Sequence, residues 1–428
     1  MKSSLSIRPA TPKITSINSG MSQESKQTLS LIQTLYPEQH SAYATLSTSP
    51  MILLFGLDRY LESFPYGCTE QLTSKALPLL AMQHSGAFKR VSQEIAGKIN
   101  TTIQMLAQRQ MSNGAFTYWP LLGENKNNTF ASVYAMHFLT EARKQGFNVS
   151  NDMFYNAISY LKELAAQTPT DLDAARIQAY AIYILTSNEI VTTNYLGNLQ
   201  SFLQKNAADI WEKDILGAYI AASYELLKSH EEAVRLIRQY DSTKNQRPTS
   251  DFFKGPSSDA QYLYLLANYF PDRLRQTGDK LVLGLVNTMN NEDINTVFSG
   301  FTSLALSAYD GANPNNKNAN LSITETTLDN KTNHVAIENA GYHKQQLNTN
   351  LQKISFNNPD KMSYFYQLIQ TGFDKKLPEK AVEQGMEIHR EFKNDQGELI
   401  TTTELGNEIE VVIRIRALNS DYLSNIAI

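Results

Sequence analysis

The sequence has little of three things that would narrow its function at once: cysteine, net charge and long apolar runs. A single cysteine among 428 residues excludes an internal disulfide. The formal net charge is -4 and no long basic run occurs, which is not the pattern of a nucleic-acid-binding protein. No uninterrupted apolar stretch approaches the length of a membrane span, so we expect no membrane contact by this chain.

Residues for metal chemistry are also missing. The seven histidines form no pair at a metal-binding spacing, and no HExxH motif occurs. We therefore expect neither a metal nor another cofactor. His137, between Met136 and Phe138 on a predicted helix, is interpreted as a half-buried core residue rather than a catalyst.

The N-terminal residues carry no targeting signal. Residues 1–20 are rich in Ser, Thr and Pro without an apolar core, which excludes a signal peptide, and we interpret residues 1–40 as a polar lead. The rest has the composition of a folded globular protein, with 42% hydrophobic and 19% charged residues. The length predicts two or three domains.

Apolar residues recur at helical spacing through most of residues 51–312. The first such segment, residues 50–63, places Leu53, Leu57 and Leu61 on one face. Further helices are predicted at residues 72–83, 91–109, 129–145, 153–166, 171–187, 195–206, 210–227, 231–240, 260–269, 279–289 and 295–309. About twelve helices suit six antiparallel hairpins, but periodicity alone leaves open whether they stack as a solenoid or close into a ring.

Strand patterns flank the helical region. Residues 41–47 alternate as a strand does. After an Asn, Gly and Pro cluster at residues 311–316, which marks a boundary, strands are predicted at residues 321–327, 334–338, 351–356, 363–372, 386–392 and 408–417. Residues 395–397 read as a hairpin turn between the last two strands. The predicted fold class is therefore α+β with several domains.

The only cysteine precedes a predicted helix in a segment suited to acyl chemistry. Cys68 and Gln71 are three residues apart, so one helical turn brings the sulfur near the side-chain amide. If the thiolate attacks the amide carbon, ammonia leaves and an intrachain thioester forms, ready for any nucleophile. A lone cysteine before a helix is more often a small buried residue. Here Gly67 helps to shape a tight entry, and Phe64 and Tyr66 can exclude water from a hydrolysable bond.

The run from Tyr66 to Gln71, Tyr-Gly-Cys-Thr-Glu-Gln, resembles the thioester signature of the alpha-2-macroglobulin and complement superfamily. The longer run from Phe64 to Pro78 resembles its bacterial alpha-2-macroglobulin branch, and a looser resemblance extends from about Ala42 to the C-terminus.

The resemblance assigns roles to individual residues of the loop. Cys68 and Gln71 correspond to the cross-linked pair, and the other residues of the thioester loop are Tyr66, Gly67, Thr69 and Glu70. Residues 113–120 form an aromatic turn that resembles a family loop near the thioester, although such turns are as often simply packed structure. Shielding of the bond is therefore expected from Phe64, Tyr66 and Trp119.

The resemblance also implies a domain plan. Residues 51–312 would form an α/α toroid of about six helical hairpins, the thioester domain, inserted into a small CUB-like β domain. That β domain would contribute its first strand or strands at residues 41–50 and its remainder at residues 313–383. Residues 384–428 would begin a C-terminal macroglobulin-like β-sandwich that is incomplete in this chain.

The function implied is that of a broad-spectrum endopeptidase inhibitor, a protease trap rather than an enzyme. A single-use thioester would capture attacking proteases through their lysine amines. Target proteases and the upstream macroglobulin domains of the full-length protein would be the partners. Since the chain has no export signal, it would be a C-terminal part, without the bait region, of a longer protein of the bacterial periplasm or cell envelope.

Two alternatives belong to other functional classes. A helical-repeat protein-binding module would have an inert thiol at Cys68. An α/α-toroid prenyltransferase or terpene-cyclase-like enzyme would need zinc ligands or an aspartate-rich run, and the sequence has neither.

Overall fold

A computed structural model describes residues 9, 11, 13–64, 67–84, 92–120, 128–241, 251–253, 255–291, 294–313, 319–336, 343–348, 350–377 and 386–418. Within these ranges the chain forms twelve α-helices and ten β-strands, so the predicted α+β class is confirmed. The chain divides into two compact units, residues 13–373 and the two segments 1–12 and 374–428. None of the described helices has both the length and the apolar character that crossing a membrane requires.

Eight strands of the larger unit form two four-stranded antiparallel sheets. They are β1 (Lys13–Ser22), β2 (Lys26–Ser30), β3 (Ser41–Ser47), β4 (Ser322–Thr327), β5 (Thr332–Ala336), β6 (His343–Leu347), β7 (Leu351–Asn357) and β8 (Tyr364–Phe373). The strand orders are β1-β8-β3-β6 and β2-β7-β4-β5. Alternate residues of both sheets, including Leu46 and Leu368 from one and Ile354 and Phe356 from the other, share one buried core.

The helices all lie in the chain between β3 and β4. They are α1 (Leu54–Ser63), α2 (Thr69–His84), α3 (Ser92–Ala107), α4 (Thr129–Lys144), α5 (Asn151–Ala166), α6 (Leu172–Ser187), α7 (Thr193–Asn206), α8 (Ile215–Leu226), α9 (His230–Ile237), α10 (Gly255–Tyr269), α11 (Pro271–Asn290) and α12 (Thr296–Ala312). Since β3 pairs with β8, the strands before and after the helices meet in one sheet.

Six of the helices follow one another in space as they do in sequence. α2 contacts α4, and the contacts continue through α6, α8, α10 and α12, which returns to α2. α3, α5, α7, α9 and α11 each pack against a neighbour in the chain. The even-numbered helices are the most buried, as α4 and α12 illustrate, because they face both the interior and a second layer of helices.

Polar side chains join the helices to the first sheet. Gln367 of β8 is fully buried, accepts a hydrogen bond from the Gly56 N–H at 2.9 Å and donates one to the Leu53 carbonyl at 3.3 Å. At β1, the Asn290 side chain at the end of α11 accepts from the Ser19 N–H and donates to the Ser19 carbonyl, both at 2.7 Å. These bonds attach the start of the helical region and the end of α11 to the first sheet.

The predicted elements are present with shifted ends. α2, α10 and α11 begin three to eight residues before their predicted starts, because their first turns are polar and lack apolar periodicity. The 50–63 segment begins with a 3-10 turn, Pro50–Leu53, before α1.

Three strands in the larger unit went unpredicted. The polar lead at residues 1–40 contains β1 and β2, so its reading as a lead without strands is corrected. β1 carries few apolar residues because it is stabilised by backbone pairing with β8 along its full length. β6 was missed because its sequence, His-Lys-Gln-Gln-Leu, contains a single apolar residue.

The second unit contains a hairpin of β9 (Met386–Lys393) and β10 (Glu410–Ala417), which pair antiparallel from Lys393 opposite Glu410. The predicted turn at residues 395–397 is present, with Gly397 at a φ of 79°. It is followed by a bridge between Lys393 and Leu399 and then by a longer connection, so it does not join the two strands directly.

Gly300 of α12 lies in close contact with two neighbouring helices. A Cβ added to Gly300 would lie 2.1 Å from the hydroxyl oxygen of Tyr134 and 3.3 Å from the Cα of Ser74 in α2. Only a residue without a side chain therefore allows α12 to pack here against α2 and α4.

We expect Gly300→Ala to lower the free energy of unfolding by about 1–3 kcal/mol, because the added methyl group forces the buried tyrosine to move. Gly284→Ala in α11, where no described residue lies within 4 Å of the added Cβ, is the matched control and should raise the free energy of unfolding by about 0.5–1 kcal/mol. Denaturant unfolding of both variants checks this. Equal effects of the two substitutions would contradict the close packing of α12.

Candidate functional site

The candidate site is the start of α2, where the backbone begins the helix at Cys68. The Cys68 carbonyl accepts the first helical hydrogen bond, from the Leu72 N–H at 2.9 Å. Glu70 lies in the first turn, where a negative charge interacts favourably with the helix dipole. Pro65 and Tyr66 lie outside the described residues, so the shielding role predicted for Tyr66 stays a prediction.

The side chain of Gln71 contacts the backbone of Cys68. The Cys68 N–H donates a hydrogen bond of 3.0 Å to Oε1 of the Gln71 side chain. The Cys68 side chain is fully buried and is a free thiol. The helix start therefore holds the amide carbonyl of Gln71 at a backbone donor that belongs to the cysteine itself.

A second segment, residues 116–119, holds the helix start in place. The Thr69 N–H donates to the Tyr118 carbonyl at 2.8 Å, and the Thr69 hydroxyl donates to the Thr117 carbonyl. Arg109 lies between the two segments, donating to the Gly67 carbonyl at 2.8 Å and to the Tyr118 carbonyl at 3.2 Å. One guanidinium group thus ties the loop before α2 to the aromatic turn.

The Cys68 sulfur lies in a low-dielectric environment. Burial, and after it the charge of Glu70, raises the pKa of the Cys68 thiol to about 11, although hydrogen bonds from Gln71 and the Tyr118 side chain lower it in part. Burial also raises the pKa of the Tyr118 hydroxyl, and the neighbouring Cys68 and Glu70 raise it further. At neutral pH both groups are therefore protonated.

Glu70 is buried beside the sulfur. It is 4% exposed, and its Oε2 accepts a hydrogen bond from the Cys68 thiol with an Sγ to Oε2 distance of 4.0 Å. Its Oε1 accepts from the Ser74 hydroxyl at 2.7 Å and from the Thr296 hydroxyl at 2.8 Å. Burial raises the pKa of this carboxyl group, and the two hydroxyl hydrogen bonds oppose the shift.

The remaining predicted residues lie around this centre. Phe64 is partly buried, 6.4 Å from the ring of Tyr60, and its carbonyl accepts from the Lys75 ammonium at 2.8 Å. Trp119 is 50% exposed and packs edge-on against Tyr118, so of these two aromatic residues it is Tyr118 that contacts the sulfur. Among the described residues, a Cβ on Gly67 would meet only Leu72, at 3.9 Å, and these residues do not explain a glycine there.

Sequence reasoning missed four residues of the site: Arg109, Tyr118, Ser74 and Thr296. Only Tyr118 had a signal, because it belongs to the aromatic turn at residues 113–120. Arg109 is the last residue of a predicted helix and has no distinguishing pattern, and Thr296 is 226 residues from the carboxylate it binds.

These features define a class of structure: helices set between the strands of a two-sheet sandwich, with a buried cysteine and a glutamine paired at one helix start. No protein-family model matches the chain. Two curated relatives match nearly all of it: alpha-2-macroglobulin of Rickettsia conorii, 31% identical over 100% of this chain, and an alpha-2-macroglobulin homolog of Yersinia pestis, 30% identical over 99%. The chain belongs to the bacterial alpha-2-macroglobulin family.

Solved structures show the same fold. Native Escherichia coli alpha-2-macroglobulin, from domain MG7 to the C-terminus, matches 96% of this chain with a TM-score of 0.75 at 18% identity, over 65% of its own length. Salmonella alpha-2-macroglobulin reacted with methylamine matches the same share with a TM-score of 0.75 at 18% identity, over 27% of its length. The chain spans 22% of each of the two curated relatives.

His137 lies on α4 and is not half-buried, as the sequence predicted, but completely enclosed. Its Nδ1 is 2.7 Å from the Tyr180 hydroxyl and its Nε2 is 3.3 Å from the Tyr264 hydroxyl. Burial lowers the pKa of His137 to about 4, and the opposing charges of Glu141 and Lys144 contribute less. The His137 ring is therefore a neutral part of the helical core, in agreement with the prediction of a core residue.

This depressed pKa predicts a loss of stability in acid. The folded state binds a proton at His137 only near pH 4, whereas the unfolded chain binds one near pH 6.5, so stability falls as the pH drops through this window. Between pH 7 and pH 5 the loss from this group is about 2 kcal/mol.

Denaturant unfolding of the wild-type protein and of His137→Gln at both pH values isolates this contribution. We expect the variant to lose less stability on acidification by that amount. The same pH dependence in both proteins would contradict a buried neutral histidine.

Proposed function

We propose that this chain is the reactive part of a broad-spectrum endopeptidase inhibitor that captures proteases covalently through a Cys68–Gln71 thioester. The observation that carries the proposal is the partly buried hydrogen bond of 3.0 Å from the Cys68 N–H to Oε1 of Gln71, made by a cysteine that is itself fully buried. Family membership supports it, because the relatives named above are alpha-2-macroglobulins.

Bond formation follows from this geometry. The sulfur attacks the amide carbon of Gln71, the carbonyl oxygen becomes negatively charged, and ammonia leaves. A donor aimed at the oxygen where charge develops lowers the barrier, and the Cys68 N–H is such a donor. The product is an intrachain acyl group bound to sulfur.

The environment of the sulfur favours retention of the bond once it has formed. A thiol with a higher pKa leaves more slowly when a nucleophile attacks, and burial raises the pKa of Cys68 to about 11. Burial also keeps water away, with Phe64, Tyr66 and Trp119 as the proposed shield and Tyr118 as an added contact at the sulfur.

We assign the domains as follows. The closed path of contacts from α2 through α12 supports an α/α toroid over residues 51–312 as the thioester domain. The two sheets, with strands from residues 41–50 and 313–383, would be the CUB-like domain that holds it, extended at its N-terminal side by β1 and β2. The β9–β10 hairpin would belong to a macroglobulin-like domain at residues 384–428.

Lysine amines are the proposed acceptors. Amines are stronger nucleophiles than hydroxyl groups and need no histidine to be activated against a thioester, and His137 is bound between Tyr180 and Tyr264. The adduct with a target protease would therefore be an amide.

The chain corresponds to about a fifth of its curated relatives, so we assign to it the thioester rather than the whole inhibitor. Recognition of proteases would rest on a bait region and on upstream macroglobulin domains, in a protein of the periplasm or cell envelope. The thioester itself would act once and without a cofactor.

The test is the reaction with methylamine, which the Salmonella relative undergoes. We expect one methylamine to add per chain, with one thiol appearing at the same rate, whereas glycerol at equal concentration leaves the chain unchanged. Intact mass and thiol titration follow both changes.

Gln71→Asn is the matched control, because its side chain is too short to reach the sulfur in the same way. It should show a free thiol from the start and no methylamine addition. A wild-type protein that behaves like this control would contradict the thioester and favour an inert cysteine in a helical binding module.

A further inference from the structure

Glu70 is a buried carboxyl group without a cation to neutralise it. At 4% exposure it loses most of its hydration, and among the described residues it forms no ion pair with Lys, Arg or His. A buried charge of this kind is costly unless it has a function or strong hydrogen bonds. Its hydrogen bonds come from hydroxyl groups and a thiol instead.

The two oxygens of Glu70 have different partners. Oε1 accepts both hydroxyl hydrogen bonds, from Ser74 of the same helix and from Thr296 at the start of α12. Oε2 faces the Cys68 thiol at 4.0 Å. One oxygen is thus held by two helices while the other is free to exchange a proton with the sulfur.

We propose that Glu70 is the proton-transfer group of the Cys68–Gln71 site, and that Ser74 and Thr296 are positioning residues that aim its Oε2 at the sulfur. This inference rests on the proposed thioester and adds to it the residue that moves protons when the bond forms and opens.

When the thioester forms, the Glu70 carboxylate carries the proton from the thiol to the leaving ammonia. Oε2 of Glu70 takes the proton from the Cys68 thiol, and the resulting thiolate attacks the amide carbon of Gln71. The bond between sulfur and carbon forms, the bond between carbon and nitrogen breaks, and the leaving nitrogen takes the proton back from Glu70 to depart as ammonia. Glu70 ends as it began.

Opening by an amine follows the same path in reverse. The amine nitrogen attacks the acyl carbon and gives one proton to the Glu70 carboxylate. The bond between carbon and sulfur breaks, and Glu70 returns the proton to the Cys68 sulfur, so that an amide and a thiol are the products.

The surroundings of Glu70 make the carboxyl group a stronger base than an exposed one. Burial raises its pKa, which brings the group closer to neutral pH, where general acid–base catalysis is most effective. The charge of Glu70 raises the pKa of four nearby groups, which are Tyr60 of α1, Cys68, Tyr118 of the aromatic turn and Tyr134 of α4. All four are neutral near pH 7, so Glu70 titrates without a charged neighbour among them.

A purely structural carboxylate is the competing explanation. It would stabilise the start of α2 through the same hydroxyl groups but would take no part in proton transfer. Glu70→Gln separates the two, because the amide oxygen can still accept from Ser74 and Thr296 whereas the side chain cannot accept a proton at neutral pH.

The experiment follows thioester formation in newly made chains. Each full-length variant is produced by cell-free synthesis, translation is stopped, and the loss of one ammonia is followed by intact mass at several pH values. We expect Glu70→Gln to form the bond about 100-fold more slowly than the wild type. The wild-type rate should rise with pH and level off as Glu70 ionises, and the variant should lose this step.

The acidity of the Cys68 thiol helps to distinguish proton transfer by Glu70 from a simple effect on thiolate concentration. Removal of the Glu70 charge lowers the pKa of Cys68, since that charge raises it. If thiolate concentration alone limited the reaction, Glu70→Gln would be faster than the wild type. A slower reaction by a more acidic thiol therefore indicates lost proton transfer.

A matched pair on α12 tests the positioning role. Thr296→Val removes a hydroxyl that binds Glu70, whereas Thr302→Val removes a buried hydroxyl that has no hydrogen-bond partner among the described residues. We expect Thr296→Val to slow formation roughly fivefold and Thr302→Val to leave it unchanged. This pair decides the question if Glu70→Gln fails to fold, as judged by circular dichroism.

The results separate this inference from the proposed function. A wild-type chain that never loses ammonia contradicts the thioester, and the role of Glu70 with it. If the wild-type chain forms the bond and Glu70→Gln forms it equally fast, only the role of Glu70 in proton transfer is contradicted. If Glu70→Gln does not fold, the same conclusion follows when Thr296→Val is no slower than Thr302→Val.

Discussion

The hydrogen bond from the Cys68 N–H to Oε1 of Gln71 is the contact on which the proposed thioester chemistry depends. It exists because the helix begins at this residue: spacing of three along a helical turn brings the two side chains together, and a free backbone N–H at the helix start is available as the donor. A helix beginning one turn later would not place the Gln71 amide at this donor. The structure therefore has to fix where α2 starts.

Two sets of contacts fix that start. Arg109 and the backbone of the aromatic turn hold the loop before the helix, through the carbonyls of Gly67 and Tyr118. On the inner side, Thr296 of α12 reaches Glu70 in the first turn, and Gly300 lets α12 come close enough to do so. The site thus depends on the closed packing of the helices and not only on its own loop.

The sequence predicts the part of this that is local. Cys68 and Gln71 are recognisable from their spacing, and the helices from apolar periodicity, since both patterns are written within one or a few turns. Contacts between distant segments leave no such pattern, which is why Arg109 and Thr296 were missed. β1 and β6 were missed for a related reason, because their pairing depends on partner strands rather than on their own apolar residues.

His137 shows the same difference between local patterns and contacts from distant segments. Its position on a helix face predicted a core residue, but its complete burial depends on Tyr180 and Tyr264 from two other helices. Buried polar side chains, here a histidine, a glutamate and several tyrosines, are where the prediction from periodicity is least complete. Burial also shifts their pKa values, upward for Glu70 and downward for His137.

The most direct measurement is a peptide map, by mass spectrometry, of freshly purified protein digested under mildly acidic conditions that preserve thioesters. The account predicts that the peptide containing Cys68 and Gln71 is lighter by one ammonia than its sequence requires and has no thiol that can be alkylated. The same peptide at its full sequence mass, with Cys68 alkylated completely, would contradict the thioester and with it the covalent capture of proteases.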